Sequence, residues 1–216
     1  MICKNICLYG DSIAMGIGVP EQRFSWASIL EQKYKNINFH NHGVGGETSS
    51  IALKRIDDVL KDSPQITTIQ FGMNDHCIDE NGLYAVSPSI FKKNIITMIK
   101  SLTEIDSKVL LITNHRVIEG NDKQYYFNRH PHNSYTKFGG ANLIINKYNE
   151  IIREIAIKRN IRCIDMYSIS SNFDKYQFLR SLKNSDKDDG VHPHILGSKI
   201  YANEISNAIN QLMENL

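Results

Sequence analysis

Short apolar runs alternate along this chain with longer stretches in which apolar residues recur every three or four positions. Ile2–Tyr9, Asn36–His40, Ile66–Phe71, Lys108–Thr113 and Ile161–Asp165 read as strands. Between them lie helical patterns. Trp26–Tyr34 places Trp26, Ile29, Leu30 and Lys33 at helical spacing, and Ile51–Lys61 carries Ile51, Ile56, Val59 and Leu60. Ser87-Pro88 opens the next helix as N-cap and first helical residue, with Phe91, Ile95, Met98, Ile99 and Leu102 on one face. Asn142–Arg159 repeats the pattern through Ile144, Tyr148, Ile151, Ile152 and Ile155. A last helix starts near Pro193 or His194.

Strands that are near-continuously apolar and separated by helices predict an α/β fold, a parallel sheet covered on both faces. Right-handed crossovers make such a sheet doubly wound, a three-layer α/β/α arrangement. Ligands then bind beyond the carboxyl ends of the strands, so functional polar residues should follow strands. One segment, 115–141, has no clear periodicity. Connections of that length in compact domains are unusual and often functional. Tyr125, Tyr126, Phe127, Tyr135 and Phe138 fall within it, with Arg129. It is expected to be either a solvated surface insertion or a substrate-facing lid.

Length and composition narrow the class. The chain has 216 residues, 41% hydrophobic, enough for one domain over 1–216 with a full core. The net charge of +2 gives no basic excess for a dedicated nucleic-acid binder. No apolar run approaches the length of a bilayer span, so no stable membrane insertion is expected. The N-terminal residues do not read as a secretory signal. Cys3, Cys7, Cys77 and Cys163 form no C-x-x-C pair. Cys3, Cys7 and Cys163 read as small buried apolar side chains in a reducing, cytoplasmic setting.

Four features fall at the expected sheet edge or just before the last helix: Gly10-Asp11-Ser12 after the first strand, Asn41–Thr48 with Gly43, Gly45 and Gly46 after the second, Gly72-Met73-Asn74-Asp75 after the third, and Asp189-Gly190-Val191-His192-Pro193. A serine hydroxyl becomes a useful nucleophile when a base takes its proton. A histidine, which ordinarily titrates near about 6.5, suits that role at neutral pH. Asp189 lies three residues before His192, so one turn can present both, and the carboxylate can hold the imidazole's tautomer. Glycines at 45 and 46 let a backbone N–H approach a reacting oxygen, and Asn74 offers a side-chain amide. Each triplet alone is weak; the four together, in this order, are specific.

Together these motifs resemble the SGNH (GDSL-type) hydrolase family of esterases, lipases, thioesterases and carbohydrate deacetylases. The resemblance runs from Gly10 to Pro193 and includes Trp26 and Leu30. It implies a flavodoxin-like five-stranded parallel sheet of order 2-1-3-4-5. It also implies Ser12 as nucleophile with Asp189 and His192, and Ser12, Gly46 and Asn74 as oxyanion donors. Asp11, Gly45, Asp75 and His115 are expected to line the substrate pocket. The motif reads Gly-Asp-Ser-Ile rather than ending in Leu, and Gly45 and Glu47 stand where many relatives carry Ser and Asp. The expected partner is a small ester, with a short acyl group, acetyl first, on a carbohydrate. An O-acyltransferase using the same residues, or a lysophospholipase or thioesterase, are the alternatives. No cofactor is expected. The pairs His40/His42, His130/His132 and His192/His194 invite a metal reading, but i, i+2 spacing alone is not a ligand set, and no metal is expected. Gly16-Ile17-Gly18 lacks the third glycine of a dinucleotide loop and does not end a strand.

Overall fold

The computed structural model describes residues 3–119, 130, 132–186 and 189–214. Within them the elements are β1 (Asn5–Gly10), α1 (Ser12–Met15), α2 (Trp26–Lys33), β2 (Asn38–Gly43), α3 (Ser49–Leu53), α4 (Ile56–Lys61), β3 (Ile66–Gln70), α5 (Pro88–Thr103), β4 (Lys108–Ile112), α6 (His132–Tyr135), α7 (Ala141–Arg159), β5 (Arg162–Ile164), α8 (Met166–Ser170), α9 (Lys175–Phe178) and α10 (Ile195–Met213). The strands pair in the order β2-β1-β3-β4-β5, all parallel. This is the sheet order that the motifs imply.

Burial explains which strands the hydrophobic pattern locates well. Ile6, Cys7, Leu8 and Tyr9 of β1 and Ile66 and Ile69 of β3 are fully buried, because both faces of the sheet are covered. Helices α2 and α10 pack together on one face, with α9 against α10. Helices α3, α4 and α7 pack against α5 on the other. Strand β2, Asn-Phe-His-Asn-His-Gly, is half-exposed along its length. It is an edge strand, its polar sequence carries no apolar run, and it is displaced two residues from the predicted Asn36–His40.

The predicted helix Ile51–Lys61 is two helices. Arg55 leaves helical geometry (φ −115°, ψ 19°) as its guanidinium turns back to Glu47 and to the His42 carbonyl. Helix α5 starts as expected, with Ser87 Oγ accepting from the Ile90 amide. Cys3 and Cys7 are buried, whereas Cys163 is half-buried on β5, the edge strand opposite β2.

Candidate active site

Strand β1 ends at Gly10, and the chain turns at once into α1. Asp11 is its N-cap, accepting from the Ile13 amide at 2.9 Å. Ser12 is the first helical residue, and its amide is one of the N–H groups for which a helix start has no internal acceptor. Trp26 Nε1 closes the other side of this turn on the Ile13 carbonyl at 2.7 Å.

His192 Nε2 lies 2.8 Å from Ser12 Oγ, and His192 Nδ1 lies 3.0 Å from Asp189 Oδ2. The other oxygen, Asp189 Oδ1, accepts from the amides of Val191 and His192 at 2.8 and 2.9 Å. Burial alone would raise the Asp189 pKa. The contacts with His192 and the two amides outweigh it and hold the carboxyl at about 2. The carboxylate therefore stays ionised and keeps the His192 Nδ1 hydrogen on its side, leaving Nε2 to accept from the serine hydroxyl.

Sequence spacing gave no sign of Arg180. Its Nη2 donates to Asp189 Oδ2. Its amide donates to the His192 carbonyl at 2.8 Å, and its carbonyl accepts from Gly190 at 3.0 Å. Nine residues upstream of Asp189, a lone arginine falls in no recognisable motif. Gly18 is explained by the same loop. It has φ +119°, and a Cβ there would sit 2.5 Å from the Pro193 carbonyl oxygen and 2.7 Å from His192 Cβ. Gly18→Ala is expected to cost about 2 kcal/mol through strain and overlap and to lower kcat by shifting His192. Thermal unfolding together with steady-state kinetics checks this.

Two loops face the serine turn in sequence order. In the first, Glu47 N–H closes a turn on the Val44 carbonyl at 3.3 Å. Gly46 sits at its third position with φ +77° and nothing within 4 Å of an added Cβ, so the need for glycine there is conformational. Glu47 is buried and ion-paired with Arg55, which anchors the turn to β2 through the His42 carbonyl at 2.8 Å. In the second loop, Asn74 Nδ2 donates to the Glu47 carbonyl at 2.9 Å. That bond brings the Gly46 turn and Asn74 together.

Three of the residues expected to line the substrate pocket, Asp11, Asp75 and His115, are each 0% exposed, and the bonds described for them are to protein. Asp11 caps α1. Asp75 accepts the Ser49 amide at 3.0 Å and the Ser49 hydroxyl, tying the Asn74 loop to the start of α3. His115 Nε2 lies 2.6 Å from the Val191 carbonyl, so it carries the hydrogen, and Nδ1 accepts from Tyr201 Oη at 2.7 Å. Gln70 Nε2 donates in turn to Tyr201 Oη at 3.0 Å. This buried chain holds the residue before His192. Gly45 is exposed at the turn.

These buried groups set a pH response. Burial, only partly offset by the Val191 carbonyl, pushes His115 down to about 4. As pH falls from about 6.5 to 4, the unfolded chain gains a proton that the folded one does not, costing about 3 kcal/mol. Asp75 runs the other way. Burial, opposed by the Ser49 donors, raises it from 3.8 to about 6, so acidification between those values restores about 3 kcal/mol. The two nearly cancel. Below about pH 4 the depressed Asp189 and Asp165 carboxyls take over, and about 2 kcal/mol is lost at Asp189 alone as pH falls towards 2. Urea unfolding across pH should be almost flat from 6.5 to 4 and then fall. In His115→Gln, stability should instead rise on acidification through that window.

The long insert is rooted in this site. Ile118 N–H donates to the Gly190 carbonyl at 2.8 Å. Glu119 then accepts the amides of Ala141 and Asn142 at 3.0 and 2.6 Å, which caps α7 and clasps the two ends of the insert. Farther along, His130 stacks on His76, ring centroids 5.3 Å apart, and Tyr135 Oη accepts from the Ile78 amide at 3.1 Å. The insert thus touches the Asn74 loop and the His192 loop. Of the aromatic residues that suggest a lid, Tyr135 is buried and Phe138 packs against the core; Tyr125, Tyr126 and Phe127, with Arg129, lie outside the described residues.

A parallel sheet of this order with a serine, histidine and aspartate at its carboxyl edge defines a class of ester hydrolases. Residues 8–200 match the GDSL-like Lipase/Acylhydrolase family, and the chain belongs to that family; it is a carboxylic ester hydrolase of the SGNH/GDSL type. The chain is 29% identical over 170 residues to the uncharacterized lipoprotein YqeF of Bacillus subtilis (strain 168), covering 75% of this chain and 70% of that protein. It shares its fold with a lipase/acylhydrolase from Enterococcus faecalis (TM-score 0.74, 23% identity, 95% of each chain). The fold is also that of the acetyl xylan esterase AlAXEase (TM-score 0.69, 21% identity, 95% of this chain and 99% of that one). Among the described residues no helix is long and apolar enough to cross a membrane.

Proposed function

We propose that Ser12, His192 and Asp189 carry the hydrolysis through an acyl-enzyme, and that the acyl group is short. The observation that carries the first part is the continuous chain from Ser12 Oγ to His192 Nε2 at 2.8 Å and from His192 Nδ1 to Asp189 at 3.0 Å. Ser12 Oγ attacks the ester carbonyl as His192 Nε2 takes its proton. The oxyanion is met by the amides of Ser12 and Gly46 and by Asn74 Nδ2. An amide NH₂ carries two hydrogens, so Asn74 can hold the Glu47 carbonyl and serve the oxyanion at once. His192 returns the proton to the leaving alcohol, which departs. It then deprotonates the water that attacks the acyl-Ser12 carbonyl and passes that proton to Ser12 Oγ as the acyl–oxygen bond breaks and the acid leaves. No step calls on a group beyond these side chains and water.

The finer reading is an acetyl ester of a carbohydrate. It is supported by an insert that is polar and aromatic in sequence and is rooted beside Gly190 and against His76. One fold neighbour is an acetyl xylan esterase, which agrees with this reading without carrying it. The four free thiols suit a reducing compartment. A series of p-nitrophenyl esters from acetate to dodecanoate tests the acyl group: kcat/KM should be highest for the shortest members and fall with chain length. Acetylated oligosaccharides then test the alcohol side. A maximum at long acyl chains would replace this reading with a lysophospholipase or thioesterase. Ester product outrunning acid when alcohols compete would replace it with acyl transfer.

A further inference from the structure

A second cluster of chemistry-bearing side chains lies on the β2 edge of the sheet, and the hydrolytic site uses none of it. Parallel pairing sets Cys7 of β1 opposite His40 of β2. His42, two residues on, falls on the same face as His40. Asp62, the C-cap of α4, lies against all three. Its Oδ2 is 2.5 Å from His42 Nε2 and 3.7 Å from Cys7 Sγ, and its Oδ1 is 3.4 Å from His40 Nδ1. The donor atoms of Cys7, His42 and Asp62 all lie within 4.8 Å of one another. From the structure we infer that Cys7, His40, His42 and Asp62 form a binding site for a zinc-class divalent ion that clamps the edge strand to β1 and α4.

Geometry and chemistry both point to that class of ion. Ligands about 2.0–2.3 Å from a tetrahedral zinc stand about 3.3–3.8 Å from each other. The separation of Cys7 Sγ from Asp62 Oδ2 already has that value, and the His42–Asp62 pair must open from a hydrogen bond to a shared ligand edge. His40 Nδ1 stands 3.4 Å from the other carboxylate oxygen, Oδ1, so its ring must swing towards Oδ2 to complete the set formed by Cys7, His42 and Asp62. One thiolate, two imidazoles and one carboxylate make a borderline-soft set that suits zinc and disfavours magnesium or calcium. A thiolate and a carboxylate also neutralise a dication, so the loaded site adds no net charge beside the buried β1. Loading releases the Cys7 thiol proton to solvent. The hydrogen that His42 Nε2 gives to Asp62 moves to Nδ1 on loading, and the freed Nε2 lone pair turns to the ion. The half-exposed rings of His40 and His42 leave an entry path. The spacing His40-x-His42 was set aside as insufficient by itself; the fold supplies the two ligands that it lacked. The His42 carbonyl is the group that Arg55 holds while pairing with Glu47, so the clamp would brace the strand that carries the Gly46 turn.

Cobalt(II) is the probe for a first test. The protein stripped with chelator should take up one equivalent, giving visible bands of tetrahedral intensity and a near-ultraviolet thiolate-to-cobalt band. Zinc(II) should displace the cobalt and raise Tm. His42→Ala and Cys7→Ala should lose the band and weaken zinc binding by more than the about 10–100-fold that an outer-shell partner costs. His192→Ala should bind as the parent does, which separates this site from the triad. Because Cys7 is buried and its variant can unfold, a Cys3→Ser, Cys77→Ser, Cys163→Ser protein, in which Cys7 is the sole thiol, gives the independent reading. Retention of the thiolate band there supports the site. Its absence, or zinc affinity unchanged in His42→Ala, overturns it.

Discussion

Ser12→Ala is expected to lower kcat by about 10⁴–10⁶-fold while leaving the fold intact. Ser12 Oγ is bonded to His192 Nε2, and α1 is capped by Asp11 rather than by Ser12. The substitution therefore removes the nucleophile without removing a cap, and Tm should change little. Residual turnover should persist, because the oxyanion donors and substrate binding remain. A fluorophosphonate should label the parent stoichiometrically and the variant not at all. Adding His192→Ala to Ser12→Ala should cost little more, since residues that act as one unit are not additive. A Ser12→Ala protein as active as the parent would remove Ser12 from the mechanism.

Asn74→Ala is expected to lower kcat by about 10²–10³-fold with a much smaller change in KM, because the oxyanion exists only at the transition state. The side chain also bonds the Glu47 carbonyl at 2.9 Å, so a merely structural role must be told apart. Thermal unfolding does this. Asn74→Ala and Asn74→Asp both lose the donor to the Glu47 carbonyl, and Asn74→Asp also sets a negative charge beside the forming oxyanion, so it should be the slower of the two. If Asn74 only tied the loops together, the loss in kcat would track the loss in Tm.

Much of this molecule is legible before folding, for reasons that burial makes plain. Strands β1 and β4 are wrapped on both faces and read as apolar runs, whereas β3 is buried as fully but carries Thr67, Thr68 and Gln70 inside; helices α5 and α7 each bury one stripe, so their periodicity is clean. Strand β2 escapes because an edge strand can be polar. The break at Lys54–Arg55 escapes because it is set by a tertiary ion pair with Glu47. Helices α8 and α9 are too short to show a period. In the site, Ser12, Asn74, Asp189 and His192 are read from fixed local spacings. Arg180 is not, because its partner is chosen by the fold. Asp11, Asp75 and His115 show the converse limit. They sit beside motif residues in sequence, but Ser12 and Asn74 keep a few per cent of their surface while these neighbours keep none, and a position after a strand does not say which side chain reaches the surface.

The bond between Ser12 and His192 spans 180 residues. A ribosome therefore makes Ser12 180 residues before His192. Until residue 192 and the helix that follows it have emerged, the growing chain carries that serine without its proton acceptor and a Gly18 without the His192 loop packed against it. The Ser12–His192 pair is completed in the same closing step that joins α10 to α2 and completes one face of the sheet.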